Sequence, residues 1–252
     1  MGTAKAGLEW HRSTLLWRTV RVLERATGGP VVVARAAGQV LPALPPGAEV
    51  VDDPRPGLGP VQGIATGLRA LTSRAEVAFI ASTDLPFLHP SFVRAVLRPV
   101  EEGADVGLPV ARGYRQPLAA AYRTSLASVA ERLVEARLLK PAFLFDECNV
   151  ALLDEAVLRA EPQLAAVDPH LDSLVNVNDP ADYGAARARP GPKVTVTMTG
   201  HTLQVRAATL AEAAAAAGLA AGQAVTALLN GEQTVADGQM PLVAGDVVVF
   251  RV

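Results

Sequence analysis

Hydrophobic positions fall into two regimes along the chain. Up to about residue 189, short apolar runs alternate with amphipathic stretches. Residues 14–26 put Leu15, Leu16, Val20 and Leu23 on one face and end at Gly28-Gly29, which predicts a helix. Residues 30–33 predict a buried strand and 49–51 a short one running into Asp52-Asp53. A helix over 60–71, a strand over 77–81 and a helix over 90–100 follow, then strands over 105–110 and 118–122 and a helix over 125–136. Such alternation predicts an α/β fold: a Rossmann-like, doubly wound, mostly parallel sheet with helices on both faces. Ligands of such sheets bind at the carboxyl ends of the strands.

The second regime starts after a linker-like stretch at 187–192, which holds two prolines and a glycine. Residues 193–199 alternate strictly, Gly200-His201 turns, and 202–206 alternate again, predicting a hairpin. An Ala-rich helix over 210–219, closed at Gly218 or Gly222, precedes a strand over 225–229 that ends in Asn230-Gly231. The last strand is expected over 246–252. This β-β-α-β-β order is that of a small β-grasp, ubiquitin-like module.

Length leaves 252 residues between one domain and two, at about 150 residues each. The change of pattern settles this as a first domain at 1–189, the end of a linker at 190–192 and a second domain at 193–252. Lys+Arg total 23 against 25 Asp+Glu, so the chain lacks the basic surplus of a dedicated nucleic-acid binder but keeps room for one local phosphate site. The single cysteine, Cys148, excludes an intramolecular disulfide and a multi-cysteine metal centre. There is no apolar N-terminal run, and the Ala-rich stretch 207–229 is broken by Glu212, glycines and Gln223. A cytoplasmic protein with no membrane span is therefore expected. Only Lys5, Lys140 and Lys193 are lysines, so each invites a question about its role.

Four stretches carry candidate chemistry. In the first, Gly2 and Lys5 offer a close backbone approach and a point charge for phosphate. In the second, Asp53 ends a strand ahead of the turn and helix start Gly59-Pro60-Val61-Gln62-Gly63, which suits a base and ribose; a plain strand–turn–helix connection is the alternative. In the third, Asp84 follows the strand over 77–81, at the sheet edge, where a desolvated carboxylate needs a partner. Mg2+ suits it, because that ion takes one or two carboxylates together with substrate phosphate oxygens. Asp84 lies too far ahead of Pro90 to cap the next helix. In the fourth, Asn176 and Asn178 have the spacing of one face of a short strand, and Asp179-Pro180 opens a helix.

Taken in order, these stretches resemble the molybdenum cofactor guanylyltransferase family, the MobA-type nucleotidyltransferases. Their pattern is matched by Met1-Gly2 with Lys5, by Asp53 with Gly59-Pro60-Val61-Gln62-Gly63, and by Thr83-Asp84-Leu85-Pro86. Gln116-Pro117-Leu118 and Asn176-Val177-Asn178-Asp179-Pro180-Ala181-Asp182 complete it. The resemblance covers nearly all of 1–186 and implies a sheet of the nucleotide-diphospho-sugar transferase type. It also implies transfer of GMP from GTP to the terminal phosphate of molybdopterin, with release of pyrophosphate. By the same resemblance Asp84 is the Mg2+ ligand and Lys5 and Asp53 contact GTP, as do Gly59, Pro60 and Gly63. Arg115, Gln116, Asn176 and Asn178 would then lie nearer the pterin. The chain departs from the pattern at Ala4 (usually Asp), Thr83 (usually Cys) and Ala34 (often Asn). A CTP-using nucleotidyltransferase, or a non-catalytic molybdopterin- or partner-binding protein, is the competing reading.

The family's first strand and most of its glycine-rich loop would precede Met1, so an open apolar slot is expected in the sheet. Residues 193–252 resemble the sulfur carriers of molybdopterin and thiamin synthesis in Leu229-Asn230-Gly231-Glu232 and in Gly245-Asp246-Val247-Val248. Those carriers act through a terminal Gly-Gly, whereas this sequence stops at Phe250-Arg251-Val252, so a docking role toward other cofactor-synthesis proteins is expected instead.

Overall fold

The computed structural model describes residues 5–55, 57–220, 226–234 and 237–251. A small ladder of β1 (Glu9–Trp10) and β2 (Ser13–Thr14) leads into α1 (Leu15–Thr27). Thr14 caps α1 by accepting from the Trp17 amide, and Gly28 ends it at φ +64°, a conformation that costs glycine little. Then come β3 (Val32–Ala36), β4 (Glu49–Asp53), α2 (Gly59–Leu71), β5 (Val77–Ala81) and α3 (Pro90–Glu101). They are followed by β6 (Val106–Ala111), β7 (Tyr114–Arg115), β8 (Ala119–Arg123) and α4 (Ala127–Glu135). Shorter elements close the first half: α5 (Pro141–Phe145), β9 (Val150–Leu153), α6 (Glu155–Arg159), α7 (Pro162–Ala165) and α8 (Pro180–Ala188).

Helices cover both faces of the main sheet, as the pattern predicted. In β8 the period of two is visible in the packing: Ala119 and Ala121 face α3, whereas Ala120 and Tyr122 face α2 and α4. Burying Tyr122 completely requires a partner for its hydroxyl, which donates to the Pro117 carbonyl at 2.7 Å. Small residues in this sheet let helices approach closely. At Gly107 a Cβ would stand 2.4 Å from the Val96 carbonyl oxygen of α3.

The expectation of a mostly parallel sheet needs correction. β8 lies between β5 and β6 and runs antiparallel to both, and β7 is antiparallel to β6. Parallel pairing in this half is confined to β3–β4 and β6–β9. The chain leaves β6 through a tight hairpin and returns between its neighbours, a path that alternating strand and helix signals do not reveal. Among the described residues β3 and β4 form a two-stranded sheet that is not hydrogen-bonded to β5. The expected slot is present: a cavity of about 200 Å³ lies between Val31–Ala34 on one wall and Ala78–Ser82 on the other.

The second half forms β10 (Lys193–Met198), β11 (His201–Arg206), α9 (Leu210–Ala216), β12 (Thr226–Leu229), β13 (Glu232–Thr234) and β14 (Val247–Arg251). Their order in the sheet is β11-β10-β14-β12-β13, with β10 and β14 parallel at its centre. Leu210 and Ala213 of α9 pack against Val194, Val196, Val248 and Phe250. The strand β13 went unforeseen, since three residues are too few to show a period. Gly222, Val225 and Val252, where helix and strand ends were expected, lie outside the described residues. The expected linker also begins later, because Arg187 and Ala188 still belong to α8.

The two halves meet through polar side chains. Asp246, nearly buried, accepts from Arg25 at 2.6 Å, from Asn230 at 2.9 Å and from the Val243 amide at 2.8 Å. Arg21 pairs with Asp237 at 3.2 Å. His89 caps α3 by accepting the Ser91 amide on Nδ1, while Nε2 donates to the Ala244 carbonyl at 3.0 Å.

Burial is the main cause that pushes the His89 pKa below 6.5; the Ala244 carbonyl and the charges of Asp168 and Asp246 oppose it. A base with a depressed folded pKa binds more protons when unfolded, so its contribution is complete above 6.5 and is lost as pH falls below that value. Unfolding by urea should show stability declining under acid, with a limiting slope of about 1.4 kcal/mol per pH unit for one proton. His89→Asn, which keeps a capping oxygen, should flatten this slope; an unchanged slope would remove His89 as its source.

Candidate functional site

Three of the four sequence stretches meet at one point. Asp84 sits in the loop after β5, and Lys5 lies in a 3-10 turn, Lys5–Gly7. Lys5 Nζ stands 3.1 Å from Asp84 Oδ2 and 3.3 Å from Asn178 Oδ1. The Val177 amide donates to the Asp84 carbonyl at 2.9 Å, which ties the fourth stretch to the third through backbone alone. Asp84 is largely covered, with its side chain 16% exposed, while Lys5 is more open at 32%. A cation and a carboxylate therefore share a half-wet pocket, where their attraction is partly screened.

Ser82, which the motifs did not single out, donates to Asp84 Oδ1. Both carboxylate oxygens are thus oriented, one by a hydroxyl and one by an ammonium. The only signal for Ser82 in the sequence was its place at the end of a buried strand, two residues before the aspartate.

The paired asparagines behave differently from expectation. Residues 175–178 form no strand, although Val175 is extended at its boundary. Val177 packs into a core with Trp10 and Leu15. Asn178 reaches Lys5, whereas Asn176 Oδ1 is buried without a hydrogen-bond partner among the described residues. Asp179 caps α8 through the Asp182 amide, as the Asp-Pro signal predicted.

The second stretch sits beside this centre without touching it. Asp53 ends β4 and accepts from Thr66 Oγ1 at 2.7 Å, and Thr66 in turn accepts from Gln62 Nε2 at 3.1 Å. Gln62 Oε1 is buried with no hydrogen-bond partner among the described residues. The first amides of α2 have no side-chain cap, Gly59 adopts φ +71° and Pro60 stands in the first turn. Gly63 lines the same cavity as Ala34, Ser82 and Thr83, the residues just ahead of Asp84.

Arg115 and Gln116 lie apart from the Lys5–Asp84–Asn178 cluster. Gln116 bonds the Tyr114 carbonyl, and the Arg115 guanidinium stands 5.9 Å from the Phe145 ring. Their link to the centre is indirect: the Leu118 carbonyl accepts from the Ser82 amide at 2.8 Å. No group of three or more His, Cys, Asp or Glu able to hold a metal occurs among the described residues. No described helix is long and apolar enough to cross a membrane.

Known proteins resemble the chain in sequence and in fold. Residues 1–148 match the model of the MobA-like NTP transferase domain. Over 150 residues the chain is 38% identical to a probable molybdenum cofactor guanylyltransferase of Mycobacterium tuberculosis, covering 58% of this chain and 73% of that protein. Over 194 residues it is 35% identical to the same-named protein of Mycobacterium avium, covering 75% and 90%. Molybdopterin-guanine dinucleotide biosynthesis protein A from Archaeoglobus fulgidus superposes with a TM-score of 0.57 over 74% of this chain and 90% of that one. At 24% identity this likeness speaks for the fold alone. On the family match and the coverage of its relatives, the chain belongs to the MobA-like NTP transferase family.

Proposed function

We propose that the chain is a molybdenum cofactor guanylyltransferase, which transfers GMP from GTP to the terminal phosphate of molybdopterin and releases pyrophosphate. The observation that carries this reading is the convergence of Lys5, Asp84 and Asn178 at 3.1 and 3.3 Å, from three distant parts of the sequence. The chemistry suits such a sparse site. A phosphate monoester has a second pKa of about 6, so the acceptor is largely ionised at neutral pH and needs no general base. An acceptor oxygen forms a bond to the α-phosphorus of GTP while the bond from that phosphorus to the bridging oxygen breaks. The site must hold the two anions in line and offset their charge.

Lys5 supplies the positive charge, and Asn178 holds its ammonium toward Asp84. The uncapped amides of α2, with Gly59, Pro60 and Gly63, are assigned to the nucleotide together with Asp53. Arg115, Gln116 and Asn176 are assigned to the pterin side; Asn176 carries an oxygen with hydrogen-bonding capacity to spare. The donors also fit Mg2+: one carboxylate and an amide oxygen are hard ligands, too few to enclose the ion, so nucleotide phosphates and water would complete its shell. When bound by Asp84, the ion would neutralise charge on the triphosphate.

Residues 193–251 are read as a β-grasp module, supported by the β11-β10-β14-β12-β13 order around a single helix. Its role is assigned to contact with other cofactor-synthesis proteins. Assay of the full chain with molybdopterin and Mg2+ tests the main reading. GTP should give pyrophosphate and a guanine dinucleotide; product from CTP alone would replace the guanylyl assignment with a cytidylyl one. No product from either nucleotide would favour a binding protein.

A further inference from the structure

A second cavity, of about 170 Å³, lies on the seam between the two halves of the chain. Its walls include Trp10, Phe87, Arg189, Val243 and Ala244, and Arg18 of α1 reaches it from below. In other proteins a void of about 150 Å³ admits a molecule the size of benzene. The Trp10 and Phe87 rings meet edge to face at 5.7 Å and give the cavity an apolar side.

Arg18 is the unusual member. The residue is only 8% exposed, and its Nε donates to the Pro86 carbonyl at 2.6 Å. Neither Nη makes a hydrogen bond or ion pair with the described residues. A buried guanidinium ordinarily secures a carboxylate, because an uncompensated charge in a low dielectric is costly. Here each neighbouring carboxylate is already committed. Asp168 accepts from the Asp172 and Ser173 amides, Asp172 pairs with Arg189, and Asp246 pairs with Arg25. The nearby imidazoles of His11 and His89 carry no negative charge in either state, and burial leads the causes that lower the pKa of both. Burial also lowers the Arg18 pKa to about 10, which still leaves it charged at neutral pH.

We propose that this seam cavity binds a small organic anion, a carboxylate or phosphate with a compact apolar body, and that Arg18 is its counter-ion. The Nη groups of Arg18 supply the paired donors that a carboxylate or phosphate accepts. Trp10 and Phe87 cover the apolar body. Val243 and Ala244 come from the second half, so the ligand is held by both halves at once. This site is separate from the Lys5–Asp84–Asn178 cluster and does not depend on the transferase reading.

Benzoate and inorganic phosphate serve as probes, titrated into the full chain in calorimetry. At least one should bind at a site that persists in Lys5→Met, which removes phosphate held at the Lys5–Asp84 centre; benzoate binding there identifies a carboxylate ligand and phosphate binding alone a phosphate. Arg18→Met should weaken binding at least about tenfold, the loss of a charge-assisted contact, while Lys5→Met leaves it in place. Equal binding by Arg18→Met, loss in Lys5→Met, or no binding of either probe at millimolar concentration would overturn the proposal. Should Arg18→Met not fold, the Trp10 indole N–H resonance of the unmodified chain decides. It should move on addition of the bound probe, and a signal that stays fixed refutes the site.

Discussion

Replacing Asp84 with alanine is expected to remove nucleotidyl transfer almost entirely, by roughly 10³-fold in kcat, or about 4 kcal/mol of transition-state stabilisation. The side chain presents both oxygens to functional partners, Lys5 on one side and Ser82 on the other. Nothing in the fold depends on those contacts. The loop is fastened by its backbone, since the Asp84 carbonyl accepts from the Val177 amide whatever side chain is present. A half-wet pair of this kind contributes at most about 1 kcal/mol to stability. Activity and melting temperature should therefore separate, with kcat lost and Tm nearly held. A variant that keeps activity within about tenfold of the unmodified chain would show that Asp84 is not at the reaction centre.

The largest effect on stability is expected from Gly107→Ala. Gly107 lies in β6, opposite Ala121 of β8 and Ala151 of β9, directly beneath α3. The added Cβ would meet the Val96 carbonyl oxygen at 2.4 Å, which is backbone and cannot rotate away. Moving α3 outward would disturb Phe92, Val93, Val96 and Val100, all fully buried. Overpacking of this kind costs about 3 kcal/mol. Urea unfolding should show a lower midpoint with an unchanged slope. Gly67→Ala is the control: it lies inside α2 with nothing within 4 Å of the added carbon, and it should gain up to about 1 kcal/mol. Equal midpoints for Gly107→Ala and the unmodified chain would contradict the close approach of α3 to β6.

The centre of the site was legible in the sequence because its chemistry follows chain order. Lys5, Asp84 and Asn178 each stood in a stretch with its own signal, and backbone bonds bring those stretches together. Arg115 and Gln116 were drawn in by the same order but stand off to one side, since a motif records sequence position and not reach. Asn176 has the same spacing signal as Asn178 and yet does not meet Lys5, because 175–178 form no strand. Ser82 carried only the weak signal of its place after a strand, and Arg18 carried none, because an arginine in an amphipathic helix has an ordinary surface explanation. Strand positions were visible from apolar runs such as 77–81. The direction of β8 was not, because pairing partners far apart in sequence leave no trace in local periodicity.

The slot between β3 and β5 has a consequence for cooperativity. Each sheet in a domain usually transmits order through its ladder, so that one strand cannot leave without breaking the next strand's bonds. Here β3 packs through Val33 into a small cluster of its own with Leu16 and Val20 of α1 and with Val31, Leu41 and Leu44. Among the described residues no ladder bond joins it to β5. The β3–β4 pair is therefore expected to open as a unit, held to the rest by side-chain burial and by side-chain bonds, Thr66 to Asp53 and Arg74 to Glu49. Its opening is governed by how firmly α1 and α2 clamp it, and a strand seated in the slot would merge the two units into one.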